Sequence, residues 1–186
     1  MKRHETTIPG CYVLEPYVSG DMRGTFVKMF REDWFRNLHL PIRYEEMFYT
    51  VSHERVLRGM HFQVPPHDHD KLVFCLSGCV LDVVVDLRVD TTSYGKHHIL
   101  HLSADKPVAL FIPRGLAHGF YVLQGPAVLC YWVTHGYVPE ADQGIHWNSL
   151  GINWPDPEPV VSQRDNGLVQ FEHFTSPFTW KLAEDR

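Results

Sequence analysis

Prolines and glycines interrupt this sequence so often that a long helix cannot form over most of it. Thirteen prolines and thirteen glycines separate short segments rich in Val, Leu, Phe and Tyr. This pattern is typical of an all-β sandwich or barrel. We predict about ten strands, at residues 11–14, 25–30, 45–52, 57–62, 71–76, 80–87, 97–102, 108–112, 119–123 and 127–135.

Turns and helices are predicted at few places. Turns are expected at 19–21, 77–78, 88–95 and 124–126, where Gly, Ser, Asp or Pro cluster. Apolar residues at helical spacing predict a helix at 31–38, with Trp34, Phe35 and Leu38 on one side. A second helix is predicted at 178–184.

No repeat, low-complexity tract or linker divides the chain, so we expect a single domain over residues 1–186. A domain of this length can bury a sizeable core. A sandwich of about ten strands fits a jelly roll, whose mouth can hold a small ligand.

Composition argues against several classes of protein. The net charge of −5 disfavours nonspecific nucleic-acid binding. No apolar run approaches the roughly 20 residues of a membrane span or follows the basic N-terminus as in a signal peptide. The four cysteines contain no paired C-x-x-C motif, so we expect free, buried thiols and a cytoplasmic protein.

Three side chains on predicted strands could carry acid–base chemistry. His61 alternates with Met60 and Phe62, and a neutral imidazole can accept a proton near neutral pH. Lys71 begins an apolar strand and, if it points inward, could stabilise negative charge on a carbonyl oxygen. Tyr131 could deliver a proton from the opposite side. Taken singly, each also has an ordinary explanation as a core or edge residue.

A metal site is the alternative interpretation of the histidine motifs. His67 and His69 have H-x-H spacing, and Pro113-x-Gly115-x-x-His118 is similar to the second motif of metal-binding cupins. The glutamate expected shortly after the H-x-H pair is absent, and the pair follows two prolines. We therefore expect no metal.

Read together, these residues and their neighbours resemble the dTDP-4-dehydrorhamnose 3,5-epimerase family of nucleotide-sugar epimerases. The resemblance spans most of the chain and rests on the order and spacing of many short motifs. They include Asp21-x-Arg23-Gly24-x-Phe26, Arg58-Gly59-Met60-His61-Phe62-Gln63, Lys71-Leu72-Val73, Ala117-His118-Gly119-Phe120, Tyr137-x-Pro139-Glu140-Ala141, Gly144-Ile145-x-Trp147 and Ser162-x-Arg164-Asp165.

The resemblance implies a cupin-like jelly roll that works as a homodimer, without metal or cofactor, on a 4-keto-6-deoxy sugar linked to a nucleoside diphosphate. It implies that His61 is the base, oriented by Asp165, and that Lys71 stabilises the enolate oxygen at C4. Tyr131 would reprotonate the carbon from the opposite face. A nucleotide-sugar 3,4-ketoisomerase is the alternative on this class of fold, although isomerisation does not need an acid on the far face.

Further residues are assigned to substrate binding. Arg58, with Arg23 from the partner subunit, would hold the diphosphate, because a guanidinium matches paired phosphate oxygens. Tyr137 would stack against the substrate and His118 would lie near the sugar. The full set is Arg23, Phe26, Lys28, Glu46, Phe48, Arg58, Gln63, His118 and Tyr137.

The chain departs from the family pattern at three of these positions. Lys28 replaces a usual acidic residue, while Glu46 and Phe48 lie where the family commonly has Gln and Asn. A lysine donor would suit the N3 acceptor of cytosine better than the N3–H of thymine or uracil. A deoxygenated sugar would need no polar partner at Phe48. Both departures fit the hypothesis of a CDP-4-keto-dideoxyhexose C5-epimerase.

Overall fold

The computed structural model describes residues 1–180 and confirms the predicted all-β, cupin-like jelly roll. One nine-stranded antiparallel sheet and a separate two-stranded hairpin carry most of the structure. The strands are β1 (Lys2–Glu5), β2 (Tyr12–Glu15), β3 (Tyr17–Asp21), β4 (Gly24–Lys28), β5 (Glu46–Ser52), β6 (Leu57–Gln63), β7 (Lys71–Asp86), β8 (His97–Ser103), β9 (Ala109–Ile112), β10 (Leu116–Val133) and β11 (Asp142–Gly144).

The two longest strands, β7 and β10, each contribute to two layers. The first half of β7 pairs with β9 and with the second half of β10, which also pairs with β5. The second half of β7 pairs with β8 and with the first half of β10, which also pairs with β6. The main core lies between these layers and includes Val73, Val84, Leu110, Phe120 and Leu129.

The predictions of turns at 77–78 and 124–126 were wrong, because β7 and β10 run through both places. Their pairing shifts register between Gln124 and Val128 and again before Leu129. Gly78 has φ +76°, and a Cβ at this position would lie 2.4 Å from the carbonyl oxygen of Gln124. A bulge built on glycine therefore absorbs the irregularity without ending the strands.

The predicted helix at 31–38 is confirmed as α1 (Glu32–Asn37). It covers the outer face of β7 and buries Phe35 completely, with Trp34 and Leu38 in the same cluster as Leu72 and Phe74. Since side chains alternate across a strand, Leu72 and Phe74 face α1 while Val73 faces the main core.

The hairpin β3–β4 forms its own two-stranded sheet. The turn predicted at 19–21 lies within β3, and the chain reverses at Met22 and Arg23 instead. Tyr17 and Phe26 are 51% and 55% exposed, respectively. The hairpin thus presents two half-exposed aromatic side chains.

The C-terminal part contributes short elements that the sequence did not predict. They are α2 (Gln163–Asn166) and a 3-10 turn at Phe171–His173. β1 and β11 were likewise not predicted, and the helix predicted at 178–184 falls largely outside the described residues. Within residues 1–180 the four cysteines are free, and no helix is long and apolar enough to cross a bilayer.

Candidate active site

A cavity of about 320 Å³ opens beside His61. This volume suits part of a small ligand. Its lining combines polar and titratable side chains with an apolar wall. The lining residues are Glu46, Phe48, His61, Phe62, Gln63, His69, Lys71, Val133, His135, Tyr137 and Asp142.

His61 on β6 forms a hydrogen-bonded pair with Asp165 on α2. The Nε2 of His61 lies 2.8 Å from Oδ1 of Asp165, and the carboxylate also accepts the backbone N–H of Gly59 at 3.1 Å. The backbone N–H of Asp165 donates to the hydroxyl of Ser162, the N-cap of α2. This cap fixes the short helix, so the carboxylate is held rigidly behind the imidazole.

The charge of Asp165 determines which imidazole nitrogen of His61 can accept a proton. Burial alone would raise the pKa of Asp165, but the hydrogen bond and charge of His61, with the N–H of Gly59, lower it below its usual value. The carboxylate is therefore ionised and can only accept. Nε2 of His61 donates to it, which leaves Nδ1 as the proton acceptor.

Lys71, the first residue of β7, lines the same cavity and donates from Nζ to the carbonyl oxygen of His61 at 3.3 Å. Burial lowers the pKa of Lys71 to about 8, while the carboxylates of Asp142 and Asp82 act in the opposite direction. The ammonium is thus cationic at neutral pH and poorly neutralised. Such a group is suited to a ligand oxygen that gains negative charge.

Tyr131 on β10 is buried next to the cavity, which its own side chain does not line. Its ring stacks on Phe48 of β5, its direct cross-strand partner, with centroids 4.8 Å apart and planes at 10°. The rings of His118 and Tyr131 also pack edge to face, with centroids 6.0 Å apart. Burial and the charge of Asp82 raise the pKa of Tyr131 above its ordinary value, so the phenol keeps its proton.

A network of hydrogen bonds holds the loop that carries Tyr137 over the cavity. The carboxylate of Glu46 accepts the backbone N–H of Tyr137 at 2.8 Å, and Oε1 of Gln63 accepts that of Val138 at 2.7 Å. The Tyr137 hydroxyl donates to Asp142 at 3.3 Å. The ring itself is 61% exposed, which leaves it free to pack on a ligand.

Five predicted binding residues, Arg23, Phe26, Lys28, Arg58 and His118, do not line this cavity. Arg23, Phe26 and Lys28 are on the β3–β4 hairpin, where Arg23 pairs with Asp21 and the Lys28 ammonium lies 5.7 Å from the centre of the Phe26 ring. Arg58 is exposed on β6 and donates from Nε to Ser52 at 2.9 Å.

The histidines of the metal alternative do not converge. His67 shares a hydrogen bond with His135 at 2.9 Å, and His69 accepts one from the amide of Gln63 at 3.1 Å. His118 pairs with Asp82 at 2.8 Å inside the core. No group of three or more His, Cys, Asp or Glu among residues 1–180 is arranged to hold a metal ion.

The sequence did not predict five residues of the cavity lining: the apolar Phe62 and Val133, and the polar His69, His135 and Asp142. Burial lowers the pKa of His69 to about 3, so it is neutral and serves as a hydrogen-bonding wall. Asp142 also accepts from Arg164 at 2.7 Å. The one available signal was that Asp142 directly follows the Tyr137-x-Pro139-Glu140-Ala141 motif, because its register with Gln63 exists only in the folded sheet.

The geometry combines an imidazole with one nitrogen free to accept a proton, an ammonium beside it and a protonated phenol stacked on Phe48 of the cavity lining. Such a set can take a proton from carbon next to a carbonyl, stabilise the enolate and return a proton. Borne on a jelly roll, it defines the class of carbohydrate epimerases.

The chain belongs to the dTDP-4-dehydrorhamnose 3,5-epimerase family. A sequence model of that family matches residues 5–173. A relative of that name from Escherichia coli K12 is 41% identical over 171 residues, covering 90% of this chain and 92% of the relative. The chain is thus a nucleotide-sugar epimerase of deoxysugar biosynthesis.

Solved structures agree in fold. The enzyme of the same name from Elizabethkingia anophelis NUHP1 superposes with a TM-score of 0.87 at 37% identity, covering 92% of this chain and 97% of the other. The epimerase from Legionella pneumophila Philadelphia 1, solved with dTDP-4-keto-L-rhamnose, gives a TM-score of 0.89 at 32% identity and 94% coverage of both chains.

Proposed function

We propose that this chain inverts C5, and C3 where that carbon is a stereocentre, of a 4-keto-6-deoxy sugar carried on a nucleoside diphosphate. The observation that carries the proposal is the His61–Asp165 pair at 2.8 Å, with the protonated Tyr131 stacked on Phe48 of the cavity lining. The C4 ketone acidifies hydrogens on both neighbouring carbons. One base and one acid on opposite faces therefore suffice for inversion.

Each side chain has a separate part in this mechanism. Nδ1 of His61 removes the proton while Asp165 stabilises the resulting imidazolium. The Lys71 ammonium balances the charge that develops on the C4 oxygen. Tyr131 donates its proton to the opposite face of the carbon, which leaves a phenolate to be reprotonated before the next turnover.

Solvent deuterium exchange tests the assignment of the base. Incubation of dTDP-4-keto-6-deoxyglucose in D₂O should place deuterium at C5, and at C3 if both centres react. His61→Ala should slow the exchange by about 100-fold or more. The control is His101→Ala, an exposed histidine on β8, which should exchange like the parent. Exchange that survives at the parental rate in His61→Ala would remove His61 as the base.

The diphosphate site is proposed to require a second copy of the chain. Arg23 is 86% exposed at its side chain, and the hairpin that bears it carries uncovered aromatic residues. A partner's hairpin reaching over the cavity would bring Arg23 towards Arg58 on β6. Two guanidinium groups could then hold the two phosphates. We also propose that the chain is a single domain and works in the cytoplasm.

The leading carrier is dTDP, which the names of the relatives specify for those proteins. Lys28 favours CDP as a second candidate, because its ammonium lies on the same hairpin as Arg23 and could donate to cytosine N3. Calorimetry with dTDP and CDP separates them. If Lys28 contacts the base, Lys28→Glu should shift the preference towards dTDP by about tenfold. A parental protein that clearly prefers dTDP would refute the cytosine hypothesis.

A further inference from the structure

Phe48 holds an unusual position, since it lines the cavity and covers Tyr131 at the same time. The two rings are cross-strand partners that stack nearly in parallel at 4.8 Å. Phe48 is 40% exposed, whereas Tyr131 is 6% exposed and does not line the cavity. The side of the site that bears the acid therefore meets a ligand mainly through the Phe48 ring.

Phe48, Phe62 and Val133 form the apolar part of the cavity lining. Glu46 is two positions away on β5, but its Oε2 already accepts the N–H of Tyr137. A hydroxyl placed against Phe48 would lose its hydrogen bonds to water and gain none from the ring.

Sugar chemistry identifies which hydroxyl this would be. Of the two carbons next to the C4 ketone, C5 bears a methyl group and the ring oxygen, so only C3 can carry a hydroxyl. Tyr131 delivers its proton to a carbon next to the ketone, and Phe48 covers Tyr131. A sugar whose C3 is placed for this proton transfer would bring the C3 hydroxyl against Phe48.

We propose that Phe48 is a specificity-determining residue that selects a 4-keto sugar lacking the C3 hydroxyl. This rests on the proposed epimerase function and sharpens its substrate class. A C3 methylene packs on the ring without losing a hydrogen bond. Because such a carbon is not a stereocentre, the reaction inverts C5 alone, even though His61 can still exchange the C3 hydrogens.

Binding of two matched sugars tests the proposal without relying on turnover. Calorimetry compares dTDP-4-keto-6-deoxyglucose with dTDP-4-keto-3,6-dideoxyglucose. The parental protein should bind the dideoxy sugar about tenfold more tightly or better. Phe48→Asn supplies a polar partner and should move the ratio of the two dissociation constants towards the hydroxylated sugar by about 10- to 100-fold.

Two further variants separate specificity from folding. Phe48→Leu keeps an apolar wall and should keep the preference for the dideoxy sugar. Tyr49→Asn makes the same kind of change on the next residue of β5, which is 65% exposed and does not line the cavity, and should leave the ratio unchanged. An unchanged ratio in Phe48→Asn, or a parental preference for the hydroxylated sugar, overturns the proposal.

The same samples in D₂O test the underlying function separately. Inversion of the dideoxy sugar at C5 with exchange at C3 agrees with both the proposed epimerase function and the proposed role of Phe48. If neither sugar exchanges deuterium, the proposed epimerase function fails, whereas the ratio of dissociation constants still decides the role of Phe48.

Discussion

The pKa of Lys71 depends on the position of this residue in the fold. Lys71 is the first residue of the apolar strand β7, where burial lowers the pKa of its ammonium to about 8. No ion pair with Lys71 is formed within residues 1–180, because its nitrogen donates to the carbonyl oxygen of His61 instead. An ammonium without a carboxylate partner is available to a substrate oxygen.

Activity should therefore fall as the pH rises through about 8, since only the protonated form of Lys71 can neutralise the enolate oxygen. Lys71→Met should lower kcat by about 100- to 1,000-fold and abolish this alkaline limb. A pH profile of kcat for both proteins measures the effect. Lys96→Met, on an exposed lysine, should retain the parental profile.

Deprotonation of Lys71 does not destabilise the fold, so unfolding caused by this titration cannot explain the predicted loss of activity at alkaline pH. A lysine whose folded pKa is below its unfolded value of about 10.4 binds fewer protons in the folded state between those two values. Its penalty on folding is full below about pH 8 and is relieved as the pH rises. An alkaline limb in Lys71→Met identical to the parent's would contradict the assignment.

At the scale of elements, the site depends on close approach between β6 and β10. Gly59 has φ +138°, and a Cβ there would lie 2.5 Å from the Cα of Gly119. This contact lets β6 place the Gly59 N–H and the His61 ring against Asp165. Only glycine has both the conformational freedom and the small size that the position requires.

Gly59→Ala should lower the free energy of unfolding by roughly 3 kcal/mol, from backbone strain and the clash with β10. Urea unfolding followed by fluorescence measures this change. Gly20→Ala, on the exposed β3 with an ordinary φ and a nearest contact of 3.4 Å, should change stability by less than about 1 kcal/mol. Equal stabilities of the two variants would refute the packing argument.

At the scale of the whole molecule, the cavity in one chain lacks the residues proposed for the diphosphate. Arg23, at the tip of the hairpin, and Arg58 on β6 both lie outside the cavity lining. Contribution from a partner would complete the site and cover the exposed aromatic face of the hairpin. Such an exchange makes binding depend on the symmetric pairing of two copies.

Mixing two inactive variants tests this exchange. If Arg23 acts in trans, random pairing of Arg23→Ala and His61→Ala subunits should restore about a quarter of the parental activity, because half the dimers are mixed and each has one intact site. If Arg23 acts within its own chain, every site stays defective and no activity returns. Co-expression of the two variants and a turnover assay of the whole dimer population give the result.

The sequence alone determined the fold class and supplied most of the residues that we propose for proton transfer. Its short apolar segments, bounded by Pro and Gly, require strands, and α1 followed from apolar residues at helical spacing. The order of the His61, Lys71 and Tyr131 motifs carried the family resemblance. The predicted turns at 77–78 and 124–126 failed because local turn chemistry cannot show that a neighbouring strand will absorb a bulge.

Only the tertiary structure decided which side chains meet. Asp165 reaches His61 across more than one hundred residues because β6 approaches β10 and Ser162 caps α2. Phe48 covers Tyr131 because the register of β5 and β10 sets them opposite each other. A one-residue slip would turn Phe48 to the other face, so its contact with Tyr131 depends on long-range strand pairing. Local sequence patterns fix the character of each strand, whereas the register that assembles the site comes from the whole fold.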